Sequence, residues 1–268
     1  MAINLDSEIC EKLGAIVGAD NVVAQASQLE YLSRTAIVTR HIPKFIVYAQ
    51  DTAQVQQIVA LANQVRLPLW YISKGCNWGY GATSAAYQGG ITLVLEKMNR
   101  ILSVNEDLGY AVLEPGVTFE QLNQHLKDTG SRLWADCPGS TVNASVLGNA
   151  LDRGRGLTPY ADHFGALCGL EVVLPSGEVL LTGGGPDQAD QFPTWNVYKW
   201  GVGPYLDGLF SQSSFGIVTK AGVWLMPAPA HFNFFIFEYN QTEEQASLST
   251  FLLIRDLDFL FLKNSVPQ

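Results

Sequence analysis

Apolar residues recur in short runs and helical stripes that predict alternating strands and helices. Phe45 to Tyr48 is an unbroken apolar run, and Asp51 with Gln54 has the spacing of a capping box. Behind that cap Val55, Ile58, Val59 and Ala62 stand at i, i+3, i+4 and i+7, which makes one apolar helical face. Arg66 and Pro68 close the helix, and Leu69 to Ile72 reads as the next strand. The pattern predicts a strand–helix–strand unit over 43–72, with parallel pairing across the crossover.

A second block follows. Ile91 to Leu95 and Tyr110 to Leu113 read as strands, and Glu114-Pro115-Gly116 turns the chain. Thr118 with Gln121 caps a helix carrying Phe119, Leu122 and Leu126 on one face. Residues 135–165 are dense in Pro, Gly, Ser and Asn and read as ordered loop, of the long kind that is usually functional or disordered. Leu170 to Leu174, the turn Pro175-Ser176-Gly177 and Val179 to Thr182 form a hairpin signature. Ile217 to Thr219 and Val223 to Leu225 read as two further short strands. Pro227-Ala228-Pro229 suggests a boundary, beyond which Phe232 to Tyr239 reads as a strand. Thr242 and Gln245 then cap a helix running into Leu248, Leu252 and Leu253.

Composition narrows the class. The 268 residues are 47% hydrophobic and only 15% charged, ample for a packed core and unlike a disordered chain. The net charge of −9 argues against a nucleic-acid partner, which needs clustered Lys and Arg. No apolar stretch reaches the roughly 18 residues of a membrane span. The start, with Asp6, Glu8, Glu11 and Lys12, lacks the plan of a signal peptide. A cytoplasmic setting with no membrane partner is therefore expected. Cys10, Cys76, Cys137 and Cys168, like the four histidines, are scattered, so no metal site is expected.

The chemistry concentrates in glycine loops. Ser73-Lys74-Gly75-Cys76-Asn77-Trp78-Gly79-Tyr80-Gly81 follows a strand, and its glycines let successive N–H groups converge on one anion. A diphosphate suits it, although an ordinary tight turn has the same composition. It is neither a P-loop nor a G-x-G-x-x-G opening a helix. Pro138-Gly139-Ser140 and the run Gly148 to Gly156 form a second cluster, in which Asn149, Asp152 and Arg153 could bond a polar heterocycle or their own loop. A third, Ser211 to Thr219, leads from a polar turn into a strand. Three such loops suit one large, extended ligand.

Taken in order, S-K-G-C-N-W-G-Y-G, Y-A-V-L-E-P-G-V-T-F, C-P-G-S, G-N-A-L-D-R-G, L-E-V-V-L-P-S-G-E and G-L-F-S-Q-S-S-F-G-I-V-T-K-A-G-V-W-L-M-P resemble the FAD-binding half of the vanillyl-alcohol oxidase and p-cresol methylhydroxylase flavoprotein family. The resemblance runs from about residue 30 to 229 and implies an α+β fold of two subdomains, about 1–103 and 104–229, gripping FAD in a cleft. Residues 230–268 would then be a remnant of the cap domain.

By this resemblance Ser73, Lys74, Gly75, Cys76, Asn77, Gly79, Tyr80 and Gly81 hold the pyrophosphate. Pro138, Gly139, Ser140, Ser145, Gly148, Asn149, Asp152, Arg153 and Gly154 line the flavin. Glu171, Gly216, Ile217 and Val218 lie along the adenosine side. The relatives oxidise para-substituted phenols by hydride transfer to the flavin. Tyr80 matches their phenolate-binding tyrosine, or simply packs beside its loop. Gly139 stands where vanillyl-alcohol oxidase has an acidic residue. Asp136 lies nearby and is a candidate flavin neighbour, or a loop-bonding residue, while Arg153 could stabilise reduced flavin or form a surface ion pair.

The resemblance also implies an absence. Full-length relatives continue with a cap domain that supplies most substrate contacts and, in tethered members, the residue that bonds FAD. No histidine stands within the loop at 73–81 either, so FAD is expected to bind without a covalent link. An uncovered sheet edge, with Phe251, Leu252, Phe259, Leu260 and Phe261 on an apolar face, implies a homo-oligomer or a separate cap-like or electron-acceptor protein. A FAD-binding subunit without turnover of its own is the alternative reading.

Overall fold

The computed structural model describes residues 5–35, 41–76, 84, 87–184, 194–201 and 203–231. In chain order its elements are α1 (Leu5–Val17), β1 (Val22–Val23), α2 (Ala26–Leu32), β2 (Phe45–Tyr48), α3 (Thr52–Val65), β3 (Leu69–Ile72), β4 (Ile91–Val94), β5 (Ile101–Asn105) and β6 (Tyr110–Leu113). They continue with α4 (Phe119–Asp128), β7 (Leu133–Trp134), α5 (Val146–Leu151), β8 (Leu167–Val173), β9 (Val179–Leu181), β10 (Ile217–Trp224) and β11 (Met226–Pro227). The chain divides into two compact units, Met1–Pro227 and Ala228–Gln268, and these elements all belong to the first. The expected strand at 232–239 and the helix after it lie outside the described residues.

Two sheets carry the α+β fold. The first has the order β1-β2-β4-β3, with β4 parallel to both β2 and β3. The expected crossover is therefore parallel, but β2 and β3 do not pair with each other: β4 enters between them. Its burial explains why, since Ile91 to Val94 is covered throughout, as a central parallel strand requires. The second sheet, β5-β6-β10-β8-β9, is antiparallel. The predicted hairpin is its β8–β9 edge, where Gly177 takes φ +86 and closes the turn on Leu174 O at 2.8 Å.

Helix α3 joins the two. Asp51 accepts from Gln54 N at 2.8 Å, and the Gln54 side chain reaches back to Gln50 N, also at 2.8 Å. One face of α3 buries Val55, Ile58, Val59 and Ala62 in a core that also holds Val173 and Ile217 from the second sheet. Polar bonds follow the same seam: Gln56 donates to Gly177 O and Asn63 to Pro175 O. A separate core behind the second sheet takes Phe119, Leu122 and Leu126 of α4, the face expected of that helix.

Two further elements differ from the sequence pattern. The strands expected at 217–219 and 223–225 are one strand, β10, whose apolar pattern is interrupted by Lys220 and Gly222 and by two register irregularities. Lys220 belongs there because its ammonium meets Glu171 at 2.7 Å. The stretch at 135–165 is not all loop, since it contains α5. That helix is too short for a periodic signal, and its Ser145 cap holds it by accepting from Gly148 N and donating to Pro115 O. Helix α1, which buries Ile9, Leu13 and Val17, was not anticipated. Among the described residues no helix is long and apolar enough to cross a membrane.

Candidate functional site

A cleft of about 630 Å³ opens where the end of β3 meets the start of α5. Its walls bring the three glycine clusters together. Ser73, Lys74, Gly75 and Cys76 form one side, Pro138, Gly139, Ser140, Ser145, Gly148, Asn149 and Asp152 another, and Phe210, Gln212, Ser213 and Val218 a third. Contact between the first two is direct: a Cβ on Gly148 would lie 2.8 Å from Ser73 Oγ and 3.1 Å from its Cβ. Glycine is the residue that lets α5 approach this loop. Asn77, Gly79, Tyr80 and Gly81 lie outside the described residues.

Tyr71 braces the third wall. Its hydroxyl lies 2.6 Å from Ser213 O and 2.8 Å from Gly216 O, and burial, helped by Asp152, pushes its pKa up to about 12. Asp152 is raised as well, by desolvation within the cleft. Among the described residues two cationic side chains line the site. Lys74 lies 3.6 Å from Glu96, and Arg155 is the arginine on the wall. Arg153 is not on it: held at φ 60, it donates to Ser211 Oγ at 2.6 Å and stacks 4.1 Å over Phe164.

Several other candidates stand behind the walls. Glu171 accepts from Thr52 and Thr219 hydroxyls, each at 2.8 Å, and pairs with Lys220, so protein donors occupy it. Gly216 packs against Val172, where a Cβ would meet Cγ1 at 2.4 Å, and Ile217 belongs to the inter-sheet core. Gly154 covers the Asn149 carboxamide, which a Cβ there would meet at 2.1 Å.

Asp136 is also set back. Its Oδ2 lies 2.9 Å from His163 Nε2, and its side chain is only 5% exposed. Burial pushes its carboxyl up, but hydrogen bonds from His163 and Thr158 outweigh that and leave it below the usual carboxylate range. His163 was not singled out from sequence; a lone histidine in a glycine-rich stretch carries no periodic or spacing signal.

The cleft suits a long ligand with both charged and heterocyclic parts. Trp70 Nε1 and Ser140 Oγ, on residues that line it, are buried without a hydrogen-bond partner among the described residues. Such groups are costly unless something bonds them. With the Gly148–Ser73 approach and two cationic side chains, they fit a dinucleotide: polar heterocycles along the walls and a diphosphate near the 73–76 loop. A second groove of about 730 Å³, along α4, is open and lined by Asn99, Arg100, Glu120, His125 and Asp128, with no glycine cluster near it.

Comparison with known proteins agrees. A family model described as an FAD binding domain matches residues 43–183, over half the chain. The chain is 40% identical over 233 residues to the flavoprotein subunit of 4-cresol dehydrogenase [hydroxylating] from Pseudomonas putida, covering 85% of this chain and 44% of that one. It is also 40% identical over 242 residues to the 1'-carboxy-chondrochloren decarboxylase of Chondromyces crocatus, covering 90% and 44%. The crystal structure of p-cresol methylhydroxylase with substrate bound superposes with a TM-score of 0.80 at 37% identity, over 85% of this chain and 45% of that one. The chain thus spans less than half the length of the curated relatives it matches. With this fold, these loops in one cleft and these matches, the chain belongs to the FAD-binding flavoprotein family of vanillyl-alcohol oxidase and p-cresol methylhydroxylase, and FAD is its cofactor.

Proposed function

We propose that this chain is the flavin-binding part of an oxidoreductase acting on para-substituted phenols, and that it holds FAD without a covalent bond. The observation that carries the FAD site is the meeting of Gly148 with Ser73, in a cleft also lined by Trp70 and Ser140, whose Nε1 and Oγ have no partner among the described residues. When bound, FAD accepts the two electrons and proton that the substrate gives up as hydride. The chain's own part is to bind and orient. Ser73, Gly75 and Cys76 offer backbone N–H groups to the diphosphate, with Lys74 and Arg155 adding positive charge. Tyr71 holds the 213–216 turn against the cleft. Tyr80 is proposed to meet the phenolate, as its match to the Gly-Tyr-Gly motif suggests.

The phenol class rests on the similarity to 4-cresol dehydrogenase and p-cresol methylhydroxylase. An equal identity to a decarboxylase favours a second reading, in which the same flavin half serves other chemistry chosen by residues elsewhere. The word subunit in the first relative's name supports a need for a partner or cap before turnover.

Adding FAD to the purified chain, then 4-ethylphenol without oxygen, separates these readings. Bleaching of the flavin absorbance is expected for the first. Bound flavin that no 4-alkylphenol reduces supports a carrier-like, partner-dependent subunit instead. Yellow colour staying with the acid-precipitated protein would exclude non-covalent binding.

A further inference from the structure

Strands β3 and β4 run parallel with Ile72 opposite Val94, and Leu95 N continues the ladder by donating to Ile72 O at 2.9 Å. Two residues beyond that register pair, where both strands end, come Lys74 and Glu96. Lys74 Nζ lies 3.6 Å from Glu96 Oε2, and both side chains are partly open to solvent. At that distance the contact is one of charge without a hydrogen bond. The two differ in where they stand: Lys74 lines the cleft, and Glu96 does not. Open parallel sheets hold their ligands just outside these carboxyl ends.

Glu96 is fixed in place through its backbone. A Cβ on Gly116 would lie 2.3 Å from Glu96 O, so the Glu114-Pro115-Gly116 turn closes tightly over it. At Pro115 O the same turn accepts the hydroxyl of Ser145, the cap of α5, which ties Glu96 to a wall of the cleft. Its neighbour Lys97 is engaged elsewhere, bonding Asn21 Oδ1 and lying 5.5 Å over the Tyr48 ring. Among the described residues Lys74 is the one cation paired with Glu96. A partly exposed pair of this kind is weak. A diphosphate offers Lys74 two negative charges and oxygens that accept charge-assisted hydrogen bonds, which is the stronger contact.

We propose that Glu96 is a positioning residue for the cofactor diphosphate: it holds Lys74 at the end of the sheet and releases it when FAD binds, so that Lys74 exchanges one anion for another. The contribution of Lys74 to affinity is then the difference between two ion pairs, and Glu96 sets that difference. Its presence makes FAD binding weaker than the lysine alone would allow. The inference rests on the FAD reading of the cleft.

The test titrates FAD into the purified, flavin-free full chain and follows flavin fluorescence. Glu96→Gln keeps the shape of the side chain and removes its charge. It is expected to tighten FAD binding about two- to fivefold at low salt, and the gain should shrink as added NaCl screens the pair. Damage to the cleft would weaken FAD, so tightening is a result that a merely structural role does not give. Riboflavin, which lacks the diphosphate, should show no difference between Glu96→Gln and the parent. Glu8→Gln is the control: it removes the same charge from the Lys12 pair on α1, which lines no part of the cleft, and should leave FAD affinity unchanged. Lys74→Met should weaken FAD, and adding Glu96→Gln to Lys74→Met should lose most of the gain. An equal gain with and without Lys74, an equal gain from Glu8→Gln, or no gain in a parent background that binds FAD overturns the proposal alone. A parent chain that takes up no FAD overturns the cleft reading itself, and the role of Glu96 falls with it.

Discussion

The hydroxyl of Thr52, at the first position of α3, lies 2.8 Å from Glu171 Oε1 on β8, 119 positions away. The same carboxylate takes Thr219 and Lys220 from β10, so one acidic side chain joins the helix over the first sheet to two strands of the second. Replacing Glu171 by Ala leaves three partly buried donors without their acceptor. The expected cost is about 2 kcal/mol, or about 6 °C in Tm for a chain of this size. A thermal melt within 1 or 2 °C of the parent would mean that this carboxylate does not hold the halves together.

Gly148→Ala should act on the cofactor. The added Cβ meets Ser73 at 2.8 Å, so either α5 or the 73–76 loop moves by several tenths of an ångström. FAD affinity is expected to fall about tenfold, measured by flavin fluorescence. Adding Ser73→Gly reopens the space and should recover part of the loss. If Gly148→Ala binds FAD like the parent, the two clusters do not meet as described.

Two buried aspartates should show opposite pH dependence. Asp136 is held below the usual range, so its contribution is present above its unfolded pKa near about 3.9 and is lost as pH falls through the folded value. Asp207, completely buried, is raised by desolvation, which the positive charge of Lys199 offsets only in part. Its contribution is complete below the unfolded pKa and is lost as pH rises through the folded value. Relative to the parent, Asp136→Asn should lose most stability near neutrality, and Asp207→Asn should gain most there. Parallel Tm curves for both variants from about pH 3 to about pH 7 would refute the assignment.

Tyr71→Phe removes the donor shared by Ser213 O and Gly216 O. Loosening of that turn should cost about 1 kcal/mol of stability and weaken FAD by a few-fold. In the parent, Tyr71 and Tyr205 should both ionise late in an ultraviolet titration, near 12, and the variant should lose the Tyr71 share of that step. A late step of unchanged amplitude in the variant would take Tyr71 out of it.

Much of the fold was legible because it is written locally. The caps at Asp51 and Thr118, the apolar face of α3 and the Pro175-Ser176-Gly177 turn are decided by neighbours within four residues, and each stands where expected. Long-range choices were not. No local pattern says that β4 enters between β2 and β3, since all three are short apolar strands and their order is set by what each face must bury. Strand β10 looked like two because Lys220 reads as a break until Glu171 is seen opposite it.

The site divides the same way. By itself the sequence determined that three glycine-rich loops recur in the order of one flavoprotein family, and hence the cofactor, because loops that admit a dinucleotide need glycine wherever backbone or ligand comes close. Only the tertiary structure decided which side chains face the cleft. Arg155 lines it while Arg153 turns to Ser211, and Asp136 is set behind Asn149 by His163. Those outcomes depend on contacts between residues 14 to 58 positions apart, and no spacing along one segment of chain can express them.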